Sequence, residues 1–134
     1  MSMSRADAEA FLADVHVGVF AIDHPGHGPL ALPIWYLFED GEVVFFTDSA
    51  TLKARLIQPG SRATLTAQNE APPYKYVSVE GPVRVEPRTE QRPEMAIRYL
   101  GEQGGAAYSA AQPIGPTSIV VRIAPERWRT ADYS

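Results

Sequence analysis

The chain contains no cysteine, which removes disulfide scaffolding, thiolate catalysis and thiolate-ligated metals together. No apolar run approaches the length of a membrane span, and the N-terminal residues lack the basic-then-apolar order of a secretion signal. A reducing cytoplasm and no membrane partner are therefore expected. Cations are in the minority, 12 Lys and Arg against 16 Asp and Glu, and they form no stripe, so no nucleic-acid partner is expected. Internal repeats and low-complexity tracts are missing as well. His24 and His27 stand at a spacing that could ligate a metal, but Pro25-Gly26 lies between them and no third ligand is near. They read as a solvated turn, and no metal site is expected. What remains is an ordinary globular composition, 45% hydrophobic and 21% charged. Its 134 residues suit one domain spanning 1–134, with a real core.

The stretch from Phe45 to Leu56 carries the most chemistry. Its apolar strand runs through Thr47-Asp48-Ser49-Ala50-Thr51 into a helix that places Lys53 and Arg55 within its first two turns. Stability alone would put acidic residues at a helix start and basic residues at its end. A helix start that already holds cations, with hydroxyl donors beside it, suits a phosphate. The bland alternative is a capped surface helix with two solvated cations.

Around this stretch the pattern alternates between strands and short helices. Residues 4–15 form an amphipathic helix with Ser4 as N-cap, and Val17 to Ile22 a first strand. Leu30 to Phe38 is read as a second strand and Glu42 to Thr47 as a third, joined by Asp40-Gly41, a strong hairpin signal. Both lack strict alternation, so both sheet faces should be covered. Trp35 offers a flat wall either to the core or to a ring-shaped ligand. A helix at about 50–57, a fourth strand at Arg62 to Gln68 and a fifth at Tyr74 to Val85 follow, the last with a bend at Gly81-Pro82. A helix from Pro93 to Leu100, a mobile Gly-rich loop over 101–115 and a sixth strand at Ser118 to Ile123 complete the reading. The expected fold class is α+β, a six-stranded antiparallel split barrel with short flanking helices.

Pro33-Ile34-Trp35-Tyr36, the hairpin arm 41–47, Thr51-Leu52-Lys53-Ala54-Arg55-Leu56 and Val77-Ser78-Val79-Glu80-Gly81-Pro82-Val83 occur in an order and spacing that resemble a known family. The chain is similar, over nearly its whole length, to the pyridoxamine-phosphate-oxidase-like split barrels. These include FMN-binding proteins and the deazaflavin (F420)-dependent oxidoreductases abundant in actinobacteria. The family usually carries Ser-Arg-Lys at the helix start. Thr51-Leu52-Lys53 replaces it here, keeping a hydroxyl and the lysine but losing one cation.

The resemblance implies a homodimer with a cofactor site at each subunit interface. Thr47, Thr51, Lys53 and Arg55 would hold the cofactor phosphate. The ring would lie along Pro33, Ile34 and Trp35 with its edge near Phe46. Gln68, Asn69 and the Tyr74–Tyr76 segment, from the same or the other subunit, would close the site. The polar C-terminal stretch lacks the Arg-x-His pattern of true pyridoxamine-phosphate oxidases, so vitamin B6 oxidation is not expected. The length and overall pattern favour F420 over FMN. No general acid stands out, although Tyr36, Tyr74 and Tyr76 are candidates. Three classes stay open: an oxidoreductase acting on a small conjugated substrate, a flavin- or haem-binding module without turnover, and a dimeric structural protein.

Overall fold

The computed structural model describes residues 1–134. In chain order the elements are α1 (Arg5–Ala13), β1 (Gly18–Ile22), β2 (Leu30–Ile34), β3 (Leu37–Glu39), β4 (Glu42–Asp48), α2 (Leu52–Arg55), β5 (Arg62–Gln68), β6 (Lys75–Pro87), α3 (Pro93–Ala110), β7 (Ser118–Ile123) and β8 (Arg127–Asp132). Ser4 caps α1, its hydroxyl oxygen accepting the Asp7 N–H. Asp40 and Gly41 both take positive φ, as the tight β3–β4 hairpin requires.

The strands form one curled antiparallel sheet in the order β2-β1-β5-β6-β7-β4-β3, with β8 paired to β6. Residues 76–82 of β6 pair with β5, and Val83 to Pro87 pair with β7. The strand therefore passes from one lobe of the split barrel to the other at Gly81-Pro82, where the bend was expected. Only glycine fits there, because a Cβ on Gly81 would lie 1.8 Å from the Ala124 carbonyl oxygen. Phe20, Phe45, Leu65, Val77, Val79 and Val121 fill the barrel, and Ala8 and Leu12 of α1 close it. Each large side chain buried this way contributes about 1.5–3 kcal/mol. No helix is long and apolar enough to cross a membrane.

Three expectations are corrected. The sheet has eight strands rather than six. The run from Leu30 to Phe38 breaks at Trp35-Tyr36, since β2 pairs with β1 in one lobe and β3 with β4 in the other. Tyr36 fixes the break: its ring is fully buried and its hydroxyl donates to the Leu12 carbonyl at 2.7 Å. The eighth strand is the polar segment at Arg127–Asp132, which pairs with Lys75 to Glu80. The stretch 101–115 is largely helical, because α3 turns at Gly101 (φ 80°) and continues to Ala110. Its second half folds back on the first. A Cβ on Gly105 would lie 2.4 Å from the Ile97 backbone, so glycine permits this close approach.

Candidate functional site

A cleft of about 480 Å³ opens between the ends of β2 and β4 and the kinked helix α3. The β4–β7–β6 ladder sets Thr47 opposite Ile119 and Ile119 opposite Pro87. The strand ends thus form a short floor, extended at one side by Thr51 and Lys53 and at the other by Arg88. Lys53 lines the cleft, is half-buried and has no carboxylate within ion-pair distance. Asp48 lines it too, but both its oxygens already accept hydrogen bonds, from the Thr117 hydroxyl (2.5 Å) and the Ala50 N–H (2.8 Å). Those bonds, Thr117 first, hold its carboxyl below the usual carboxylate range. Thr51 caps α2: its hydroxyl donates to the Asp48 carbonyl at 2.8 Å and lies 3.3 Å from the Thr47 hydroxyl. The expected helix over 50–57 shrinks to the single turn Leu52–Arg55, too short for a strong dipole. Any anion here would be held by side chains.

The opposite wall is aromatic and cationic. The Trp35 indole stacks on Tyr99 (5.0 Å between centroids, 6° between planes), and Tyr108 leans against it at 5.4 Å. Tyr99 is pinned in turn, accepting the Tyr36 N–H and donating to the His16 carbonyl. Arg88 lies over the face of Phe46 at 4.1 Å. Burial and the neighbouring Arg92 lower the pKa of its guanidinium. Arg92 is neutralised by Glu39 (2.6 Å) and Glu94 (2.8 Å). Glu39 raises its pKa most.

The sequence pattern of the family described as pyridoxamine 5'-phosphate oxidase matches residues 5–132. The chain belongs to that family. No curated protein matches it. Solved structures of like fold include a conserved hypothetical protein of Mycobacterium tuberculosis, 23% identical with a TM-score of 0.79, the match covering 98% of this chain and 86% of that one. An FAD-binding protein of Mycobacterium smegmatis is 16% identical with a TM-score of 0.69, and both chains are covered in full at 100%. An F420 reductase is 19% identical with a TM-score of 0.64, covering 90% of this chain and 94% of that one. At such identities the likeness speaks for the fold.

Within this family member, the cleft brings together Pro33, Ile34, Trp35, Phe46, Thr47 and Lys53. Thr51 adjoins them through Thr47. Arg55 is exposed and does not line the cleft. Gln68, the last residue of β5, and Tyr74, just before β6, are also exposed and do not line the cleft. The Tyr36 hydroxyl is engaged with Leu12 inside the core, and burial raises its pKa, so this phenol is a structural anchor. The sequence reading missed Arg88, Arg92 and Tyr108. The only local signal was the pair of arginines just before and at the start of a Pro-initiated helix.

Proposed function

We infer that this chain is an oxidoreductase that binds a flavin or deazaflavin, with F420 ahead of FMN, and serves hydride transfer to a small conjugated substrate. The observation that carries the reading is the uncompensated Lys53 beside Thr47, in a cleft whose opposite wall is the Trp35 indole. A ribityl phosphate fits the first group and a flat ring the second. None of the three histidines lines the cleft, so this chain offers a haem no imidazole ligand there. When bound, such a cofactor supplies the redox chemistry through its ring. The protein's part is placement. Lys53 and Thr47 hold the phosphate, Trp35 and Ile34 orient the ring, and Met95, Ala96 and Tyr108 exclude water.

The functional unit is a homodimer. Val19 and Pro33 are paired neighbours on β1 and β2, as are Ala21 and Ala31. Val19, Ala31 and Pro33 are exposed, so this uncharged face runs up to the cleft rim at Pro33. Light scattering at micromolar concentration should give twice the mass of the chain; a monomer there removes the dimer.

Lys53→Ala tests the phosphate site. It should weaken FMN or F420 binding by roughly 10- to 100-fold while leaving the thermal midpoint of the apo protein unchanged. Unchanged affinity in Lys53→Ala removes the site. One observation favours a second reading, binding without turnover: with Tyr36 engaged in the core, Tyr108 is the only phenol lining the cleft. Bound cofactor with no turnover across enone, quinone and tetrapyrrole substrates would decide for it.

A further inference from the structure

Arg88 is the cleft's second cation without a carboxylate partner, and its position differs in kind from that of Lys53. Its side chain makes one hydrogen bond, Nε donating to the Glu90 carbonyl at 3.3 Å, and no ion pair. The Arg88 N–H donates to the Ser118 carbonyl at 3.0 Å, which fixes the backbone at the end of β6. Thr47 and Pro87 are separated by β7, hence by two interstrand spacings, roughly 10 Å. From there the guanidinium leans back across β7 to Phe46 of β4, the residue before Thr47. A half-buried guanidinium beside a second arginine is electrostatically unfavourable until an anion meets it. The nearby carboxylates do not serve: Glu94 is held by Arg92, and Asp48 by Thr117 and Ala50. Beyond Phe46, Arg88 and Arg92, which line both spaces, the cleft adjoins a hollow of about 120 Å³. Arg122 and Glu86 there are paired to each other at 3.2 Å.

We propose that Arg88 receives a second anionic group on the bound cofactor, one beyond the phosphate held at Lys53. The cleft then selects a cofactor with an extended anionic tail over a mononucleotide. The second phosphate of FAD and the glutamyl carboxylates of F420 both have this chemistry, and FMN lacks it. The proposal rests on the function inferred above and assigns the part of the ligand that reading leaves open.

The test is a set of fluorescence titrations of the full-length protein with riboflavin, FMN, FAD and F420, on the wild type, Arg88→Gln, Arg88→Lys and Lys53→Ala. Circular dichroism melts check that each variant folds. The wild type should bind FAD or F420 at least roughly tenfold more tightly than FMN. Arg88→Gln should remove that advantage and leave FMN within about twofold of wild type, while Arg88→Lys, which keeps the charge, should restore part of it. Lys53→Ala should weaken FMN and the longer cofactors alike. Equal wild-type affinity for FMN and the longer cofactors overturns the proposal alone, as does an Arg88→Gln loss that is the same for FMN and FAD. Failure to bind any of the four overturns the flavin reading with it.

Discussion

On one side of the cleft, Phe46, Thr47 and Asp48 are consecutive residues of β4, each paired in register with β7. On the other side, Met95 and Tyr108 belong to a helix that reverses at Gly101 and packs against itself at Gly105. The strand wall is part of the barrel and shares its core. The helix wall is held by a few contacts: Gly105 on Ile97, Tyr99 and Tyr108 on Trp35, and the Arg92 ion pairs. The first should melt only with the whole protein, and the second should be able to detach from it. In a binding cleft that division gives a fixed seat for an anchoring group and an adjustable cover for the rest of a ligand.

The comparison can be broken hardest at Gly81. Adding a methyl group there would drive it into the Ala124 carbonyl at the point where β6 changes partners. Gly81→Ala should cost about 3 kcal/mol or more, at or above the top of the usual overpacking range, and should lower the urea midpoint for both lobes together. A loss below about 1 kcal/mol would mean the strand frame is more yielding than its register implies.

Gly105→Ala makes the matching insult to the helix wall. It should cost about 1–3 kcal/mol, expressed as local opening of residues 102–110. Trp35 fluorescence should change, because Tyr108 loses its seat, and amide exchange should accelerate in α3 before it does in β4 or β7. If α3 and the barrel lose protection together, the two walls form one cooperative unit and the contrast fails.

How much could be read from the sequence follows the same division. The strand wall was legible because its residues are neighbours in the chain and its signals are local: Asp40-Gly41 for the hairpin and Gly81-Pro82 for the bend. The helix wall was not. Glycines 101, 104 and 105 argue against a helix, each costing about 1 kcal/mol relative to alanine. Their use becomes visible only once Ile97 is seen against Gly105. The break at Trp35-Tyr36 was hidden inside an unbroken apolar run, since only the tertiary pull of Tyr36 toward Leu12 divides it. Strand β8 escaped because Arg127-Trp128-Arg129-Thr130-Ala131-Asp132 pairs along one edge only and stays mostly polar.

Tyr36→Phe sharpens the comparison at the hinge between the lobes. The substitution removes the hydroxyl that donates to the Leu12 carbonyl, but Arg98 also donates to that oxygen at 3.3 Å, so the acceptor keeps one partner. The loss should be about 1 kcal/mol, read by chemical denaturation, with cofactor affinity unchanged. A fall in affinity would return Tyr36 to the site.

The smallest effect concerns His16, which stacks on Phe11 at 4.1 Å with Nε2 buried and unpartnered. Burial lowers its pKa below the ordinary 6.5; Asp14 opposes that shift and Arg98 adds to it. Well above pH 6.5 the imidazole is neutral in both states. As the pH falls through that value the unfolded chain takes up a proton that the folded protein resists, so stability falls toward acid. The drop in thermal midpoint between about pH 7.5 and 5.5 should be smaller in His16→Phe than in the wild type. An identical drop would place the acid sensitivity elsewhere.

Strand β6 carries a kinetic consequence as well. Its residues pair with β5, which precedes it, but also with β7 and β8, so that Val83 waits for Ile123 and Val79 for Trp128. Contacts so distant along the chain form slowly, because the intervening loop must close before any pairing rewards it. A chain emerging from the ribosome can assemble the β1–β2 and β3–β4 hairpins early, and then holds β6 half-paired until the residues around 128 are free. Through that interval its exposed edge is the surface most open to a wrong partner, and a charged Lys75 and Glu80 at the two ends of the later β8 pairing discourage one.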